Sequence, residues 1–317
     1  MDKIIKLINN SKTVAILAHD SEDADAVGSS YALKLVLLEL GKDAECYFSA
    51  RPEMHLEFLG ENYKLLDEDN LPEVDLCICL DSADFSRIGS RKVIFDAAKH
   101  TALIDHHATN TGFAEENYID SLAPATGEIL YTLFEKMDIK MNAEVAKNLY
   151  SAISADTGSF KYSNVRPHTM EIVAKLLTYN INHSEIARKL FDDEPIETIK
   201  FKGFVMQNIE QYFDKKLNLV AVKKAEFEKF GVKERDTGDI VNIPRAVLGC
   251  EIAVSIRETS EKIKISFRSN GKYDVSALAQ KFGGGGHKMA AGAIQKNKTL
   301  DEVKNDIIKV CEEVFNG

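Results

Sequence analysis

With 317 residues, 44% hydrophobic and 28% charged, the chain has the composition of an ordinary globular protein long enough for two cores. No apolar run reaches the roughly 18 residues of a membrane span, and the opening MDKIIKLINN lacks the apolar stretch and small-residue cleavage site of a signal peptide, so the expected location is the cytoplasm. A net charge of -10 and the absence of Trp argue against a platform for extended or duplex nucleic acid.

Val14 to His19 predicts a buried strand, and Ala26 to Leu40 (AVGSSYALKLVLLEL) predicts a helix with an apolar stripe, stopped by Gly41. A tight acidic loop lies between them. Further strands are expected at Asp43 to Phe48, Val74 to Asp81 and Ala102 to His106, with helical segments between them. Cys77 and Cys79 should pack as small apolar groups on one strand face. With Cys46, Cys250 and Cys311 they make five scattered cysteines without a C-x-x-C pair, which suggests neither a disulfide framework nor a zinc knuckle. The β-α-β rhythm predicts an α/β fold whose larger N-terminal domain has a mostly parallel sheet flanked by helices.

From about Thr126 to Phe213 five segments carry apolar residues at helical spacing, the last of them, TIKFKGFVMQNIEQYF, read as a connector. Strands return at LNLVAV, EIAVSIRET and KIKISFRS, followed by a helix-like DVSALAQKF, four glycines and a closing helix from Leu300 to Phe315. The expected division is 1–193 for the first domain, 194–214 for a helical connector, and 215–317 for a smaller α/β domain with a mixed sheet.

Four of the apolar runs end in groups that packing would not choose. TVAILAH ends at His19 and leads into Asp20, Asp23 and Asp25; VDLCICLD ends at Asp81; TALIDHH ends at Asp105, His106 and His107; AEVAKNLYSAISAD ends at Asp156. In an open α/β sheet, ligands bind beyond the carboxyl ends of the strands, so such endings can share one crevice. Carboxylates brought together need a cation, since two unit charges about 4 Å apart repel by roughly 4 kcal/mol at an effective dielectric near 20. A mixed His and carboxylate set suits Mn2+ or Mg2+, and Asp23 and Asp25, two apart on a loop, can face two different cations. The competing reading makes these acids helix caps and turn residues. Gly28 and Ser29 open a helix whose N-terminal dipole suits an anion. His55, His100, His168 and His183 are expected at surface or capping positions.

The charge is unevenly spread. From Lys215 onward 19 Lys and Arg face 14 Asp and Glu, a surplus of +5, which leaves 21 against 36, or -15, for residues 1–214. An acidic part that can hold metal and a basic part that can hold phosphate are what a phosphoester enzyme needs. In the basic part, the glycine run 283–286 is flanked by VSALAQKF and MAAGAI, which is not linker-like. Glycines let backbone amides approach an anion, His287 adds a donor, and Arg268 suits bidentate contact with a phosphate, assisted by Ser269 and Asn270.

The motifs H-x3-D-x-D-A-x-G-S at His19 to Ser29, L-D-S at Leu80 to Ser82, D-H-H-A-T-N at Asp105 to Asn110, A-D-T-G-S-F at Ala155 to Phe160, and R-S-N with G-G-G-G-H-x3-A-G between Arg268 and Gly292 occur in that order. As a combination, spanning essentially the whole chain, this set resembles the DHH phosphoesterase superfamily, in its stand-alone branch with the DHH-associated C-terminal domain, the nanoRNase and pAp-phosphatase type. One departure is that Glu22 and Ala24 stand where the family often has Pro and Gly; no ligand is removed. The resemblance implies two Mn2+ ions, His19 and Asp23 holding one, Asp25 and His106 the other, Asp81 bridging and Asp156 completing the shell. It further implies that Asp105 orients a histidine, that His107 contacts the substrate phosphate, and that Arg268, Ser269, Asn270, Gly285, Gly286 and His287 hold the far phosphate and nucleotide.

The activity so implied is manganese-dependent hydrolysis of short RNA oligomers, linear pApA and pAp to nucleoside monophosphates, with short substrates selected by a cleft between the domains. No long duplex and no membrane is an expected partner, and a homodimer is a candidate assembly. The nearest rival is a cyclic di-AMP phosphodiesterase. A manganese inorganic pyrophosphatase should not carry the Arg268 and glycine features, and a RecJ-like exonuclease would bring additional domains. From another class, a nucleotide-binding regulator without catalysis should have lost at least one of the six ligands, and all six are present.

Overall fold

A computed structural model describes the backbone of residues 1–316, and the side chains of these residues apart from 235 and 236; residue 317, the last of the expected second domain, lies outside it. The chain divides into two compact units, Met1–Asp193 and a second from Glu194 onward.

In the first unit, α1 (Asp2–Asn10) precedes β1 (Thr13–Leu17), α2 (Ala24–Glu39) and β2 (Asp43–Phe48). A 3-10 turn at Met54–Leu59 leads to the short β3 (Lys64–Leu65) and to β4 (Leu76–Leu80). A second 3-10 segment, Phe85–Arg91, runs into α3 (Lys92–Ala97), then come β5 (His100–Asp105) and β6 (Glu116–Ile119). Four helices close the unit: α4 (Thr126–Lys136), α5 (Ala143–Asp156), α6 (Pro167–Leu177) and α7 (His183–Phe191). The strands form one six-stranded sheet, ordered β3-β2-β1-β4-β5-β6, with every pairing parallel.

Parallel sheets are covered on both faces, which is why the central strands carry unbroken apolar runs, Val14–Leu17, Leu76–Leu80 and Ala102–Ile104. Val14, Ile16, Leu76, Ile78, Ala102 and Ile104 face the core with α2, α4 and α5, while Ala15, Leu17, Cys77, Cys79 and Leu103 face Ile88, Ile94 and Phe95. Cys77 and Cys79 thus share a face, and all five cysteines are buried and unbridged. Helix α2 begins two residues earlier than its apolar pattern suggested and is buried almost all round rather than along one stripe, because α5 and α4 pack against its outer side. Gly28 makes that approach possible: a Cβ there would lie 2.7 Å from the Asn148 carbonyl oxygen of α5. Gly28 and the fully buried Ser29 are therefore helix-packing positions and not an anion site, a correction to the sequence reading that follows from the helix starting four residues before Gly28.

The second unit opens with α8 (Ile196–Gln207), β7 (Glu210–Tyr212), β8 (Leu217–Val222), α9 (Lys224–Phe230) and a 3-10 segment at Glu234–Val241. After α10 (Asn242–Arg245) come β9 (Ile252–Glu258), β10 (Ile263–Ser269), α11 (Val275–Lys281), β11 (Gly285–Gly286), β12 (Ala290–Gln295) and α12 (Leu300–Asn316). The sheet order is β11-β12-β10-β9-β8-β7, with β8 and β9 parallel and the other pairs antiparallel. Leu217, Leu219, Val254, Ile256, Ile265 and Phe267 build its core with α11 and α12, and the opposite face packs Val220 and Val222 against Phe201 and Val205 of α8.

Helix α8 is thus an integral part of the second unit's packing, not a bare connector. The helical reading also ran too far: the chain leaves α8 at Asn208, and residues 210–212 pair as a strand with β8 through a turn in which Phe213, Asp214 and Lys215 all have positive φ. Strands β3, β6, β7, β11 and β12 carried no apolar alternation strong enough to read. Among the described residues, no helix is long and apolar enough to cross a membrane.

Candidate metal centre

The central strands β1, β4 and β5 lie side by side, and the register that pairs Leu17 with Cys79 and Leu80 with Ile104 sets their carboxyl ends level. Strand order reverses there, β2 lying to one side of β1 and β4 to the other, so the ends border a topological switch point. His19 follows β1, Asp81 follows β4, and Asp105, His106 and His107 close and follow β5. Asp81 sits at φ 50, a conformation a non-glycine residue adopts only when its surroundings hold it, and such residues concentrate at functional sites. Asp156 arrives differently. It is the last residue of α5, a helix in keeping with the helical spacing of that segment, and so reaches the site from a helix terminus and not from a strand end.

Around Asp81 the side chains fall into two sets. Its Oδ2 lies 3.5 Å from His19 Nε2, which is 3.6 Å from Asp23 Oδ2. Its Oδ1 lies 3.4 Å from His106 Nε2, which is 3.4 Å from Asp156 Oδ2 and 4.0 Å from Asp25 Oδ2. The donor atoms of His19, Asp23 and Asp81, and those of Asp25, His106 and Asp156, each lie within 4.8 Å of one another. A third such set joins Asp81, His106 and His107. The structure therefore brings all six expected ligands together, with one carboxylate standing between two imidazoles.

Both imidazoles are aimed by the backbone. His19 Nδ1 is 2.9 Å from the Asp20 carbonyl and His106 Nδ1 is 3.3 Å from the Ala123 carbonyl. A carbonyl only accepts, so Nδ1 carries the proton and Nε2 faces the carboxylates, the arrangement a ligating histidine needs. Asp23 satisfies both readings made of it. Its Oδ1 caps α2, accepting from the amides of Asp25 and Ala26, while Oδ2 faces His19.

Four further residues, Ser29, Asn110, Thr126 and Gly127, support the cluster in ways the sequence reading did not assign. Buried Asp25 accepts from the amides of Thr126 (2.6 Å) and Gly127 (3.0 Å), which open α4, and from the Ser29 hydroxyl (2.9 Å). The Thr126 hydroxyl also lies 3.3 Å from Asp81 Oδ1. Asn110 donates to Asp105 Oδ2 at 2.6 Å, and Asp105 Oδ1 is 2.7 Å from His107 Nδ1, a relay that fixes the His107 ring. Thr126 lies 101 positions from Asp25, so only the packing of α4 on α2 joins them.

Without a cation the cluster holds protons. Burial, then the Asp81 charge, pushes Asp25 up to about 7, and burial with Asp25 beside it raises Asp156 well above the carboxylate range. Burial alone would lower His19 and His106, yet contact with Asp23 and Asp81 for the first, and chiefly Asp81 for the second, holds both well above the usual imidazole value. Asp81 is kept an anion: against the cost of burial, its contacts with His106 and His19 hold it well below the usual range. Among the described residues, no Lys or Arg forms an ion pair with these carboxylates. A buried set of oxygen and imidazole donors that must retain protons for want of a counter-charge is a good fit to divalent cations.

In the second unit, β10 ends at the half-buried Arg268 and the buried Ser269. Arg268 pairs across the sheet with Ala290, and the tight turn between His287 and Ala290 (2.7 and 3.1 Å) joins β11 to β12. Arg268, Gly285, Gly286 and His287 therefore border one corner of the sheet. The glycines are needed there, since a Cβ on Gly286, at φ 142, would meet the Ala290 carbonyl at 2.6 Å. Ser269 Oγ accepts from the Gly271 amide, and the Asn270 amide group donates to the carbonyls of Arg245 and Cys250. Those two side chains hold the turn after β10. His100 and His168 lie at the surface beside Glu115 and Glu171, and His183 opens α7.

Residues 13–153 match the model for the DHH family, N-terminal domain, and residues 217–317 match the DHHA1 domain. The chain is 31% identical over 301 residues to the bifunctional oligoribonuclease and PAP phosphatase NrnA of Thermus thermophilus, covering 95% of this chain and 89% of that protein. It is 28% identical over 316 residues to the protein of the same description from Bacillus subtilis, covering 98% of each. An exopolyphosphatase-related protein from Bacteroides fragilis has a solved structure that matches with TM-score 0.91 and 27% identity, over 100% of this chain and 97% of that one.

Proposed function

The chain belongs to the DHH family and carries a DHHA1 domain behind the DHH domain, and from that premise we propose that it hydrolyses short RNA oligonucleotides, pApA and pAp to nucleoside monophosphates, dependent on divalent metal. The observation that carries this reading is the carboxylate of Asp81 set between His19 and His106, each with further acids beside it. His19 and Asp23 would hold one Mn2+, Asp25, His106 and Asp156 a second, with Asp81 shared. When bound, such a pair neutralises the phosphoryl oxygens and acidifies the attacking water at neutral pH.

The chain's own residues do the rest. Thr126, Gly127 and Ser29 hold both oxygens of Asp25 in place, so the acid keeps its aim when its proton leaves. Asp105, held by Asn110, fixes His107 at the rim of the cluster, where its ring contacts a phosphate oxygen. Arg268, with the Gly285 and Gly286 backbone and His287, holds a phosphate of the nucleotide to be retained, as a guanidinium fork and closely approachable amides can.

The test offers the purified protein pAp, pApA, a five-nucleotide RNA, cyclic di-AMP and pyrophosphate side by side with Mn2+. Mononucleotide release from the RNA and from pAp should exceed hydrolysis of the other two classes. Faster turnover of cyclic di-AMP or pyrophosphate would replace the reading.

A further inference from the structure

The loop from His19 to Asp25 carries three of the six ligands and also two acids, Asp20 and Glu22, that face away from the cluster toward Arg91. Arg91, the last residue of the Phe85–Arg91 segment, is 1% exposed. Its Nη1 donates to Glu22 Oε1 at 2.7 Å and to the Tyr47 carbonyl at 2.9 Å, and its Nη2 donates to Asp20 Oδ1 at 2.8 Å. Glu22, 7% exposed, also receives the Ser49 amide and hydroxyl at 2.6 and 2.8 Å. The loop is thereby tied to the end of β2 and to the 3-10 segment after β4. A further tie runs from the Asp20 amide to the Arg87 carbonyl at 2.6 Å.

The effect reaches the cluster through one residue. The Asp20 carbonyl is the group that holds His19 Nδ1, so the side chain that pairs with Arg91 and the oxygen that aims His19 belong to the same residue. Gly89 fits the same design: it has φ 59, and a Cβ there would land on the Asp20 carboxylate. Ser21, at φ 61, lets the chain turn between the two acids.

We propose that Arg91, acting through Asp20 and Glu22, is a positioning residue that sets the shape of the ligand-carrying loop and so the affinity of the cluster for divalent metal. A buried guanidinium with two carboxylates holds the loop in its ligating conformation before a cation arrives, so less ordering is left to oppose binding. Glu22 stands where the DHH resemblance often has Pro. A pyrrolidine stiffens a loop through its own ring, whereas here stiffness comes from an ion pair with a distant residue. The inference rests on the proposed metal-binding reading of the cluster.

The test is Mn2+ binding to metal-free protein by titration calorimetry and by the paramagnetic signal of free Mn2+, for wild type, Arg91→Lys and Glu22→Gln. Near-ultraviolet circular dichroism and thermal unfolding of the metal-free proteins are recorded alongside. Groups that orient ligands are worth about 10–100-fold in metal affinity, and a loss in that range is expected for both variants. Turnover should recover toward wild type at saturating Mn2+, with KM for substrate unchanged. A merely structural role would lower the unfolding temperature and leave Mn2+ affinity of the folded protein untouched. Affinity within twofold of wild type in both variants overturns the proposal; if Arg91→Lys does not fold, Glu22→Gln decides alone. A wild-type protein that binds no Mn2+ overturns the metal reading itself, and the two failures are thereby told apart.

Discussion

Replacing Asp81 by Asn exchanges one oxygen for an NH2 group in a residue 2% exposed, so the shape of the site is kept and one charge is removed. In the metal-free protein that charge lies 3.5 Å from His19 Nε2 and 3.4 Å from His106 Nε2, and it is a main reason both imidazoles stay protonated above their usual value. A histidine with a raised folded pKa contributes stability that is fully present below about 6.5 and is lost as pH rises through the folded value. The variant should therefore be destabilised at pH 6 by about 3 kcal/mol, the low end for breaking a buried pair, and by less once pH has risen through the folded histidine values. With Mn2+ present, the variant also loses a unit charge facing both cation positions. A unit pair about 4 Å apart is worth roughly 4 kcal/mol at an effective dielectric near 20, so turnover should fall by at least about 1,000-fold. Hydrolysis of pAp, metal content of the dialysed protein and NMR titration of the two histidines are the assays. A variant that keeps full activity, or histidines that titrate as in wild type, would refute the shared role of Asp81.

Other expectations follow from the same geometry. Gly28→Ala places a Cβ 2.7 Å from the Asn148 carbonyl, and overpacking of about 1–3 kcal/mol against about 1 kcal/mol of helix propensity leaves a net loss by urea unfolding, with weaker Mn2+ binding because Asp25 sits one turn away; a more stable variant would contradict this. Because Asp25 sits near 7 and both histidines are raised, Mn2+ must displace protons. Affinity should fall from pH 8 to pH 6, and the calorimetric heat should depend on the ionisation enthalpy of the buffer; a heat independent of buffer would exclude the exchange. By the same sign, the raised Asp25 makes metal-free protein less stable as pH rises from about 4 to 7. Arg268→Ala should raise KM for pAp and short RNA while sparing a minimal chromogenic phosphodiester, and equal loss on both would argue against a separate grip on the nucleotide.

The α/β class, the order of the main strands and the identities of the clustered acids and histidines were legible because each depends on local pattern. Apolar runs that stop at Asp81 or at Asp105 to His107 cannot be explained by packing, and burial on both faces leaves a continuous hydrophobic signature on β1, β4 and β5. The limits of α2, α8 and β7 were misread where tertiary contact overrides propensity. Helix α2 is buried on nearly all sides by α4 and α5, and residues 210–212 leave the helical pattern to pair with β8.

Sequence alone thus supplied the donor atoms, since side-chain chemistry and strand endings are local properties. It did not supply their aim. That Asp81 stands between two imidazoles, that α4 lends its first amides to Asp25 from 101 residues away, and that Glu22 turns from the cluster to Arg91 across 69 residues are all consequences of how distant elements pack. Contacts between residues so far apart in the chain leave no periodicity or spacing to read, and only the folded backbone decides them.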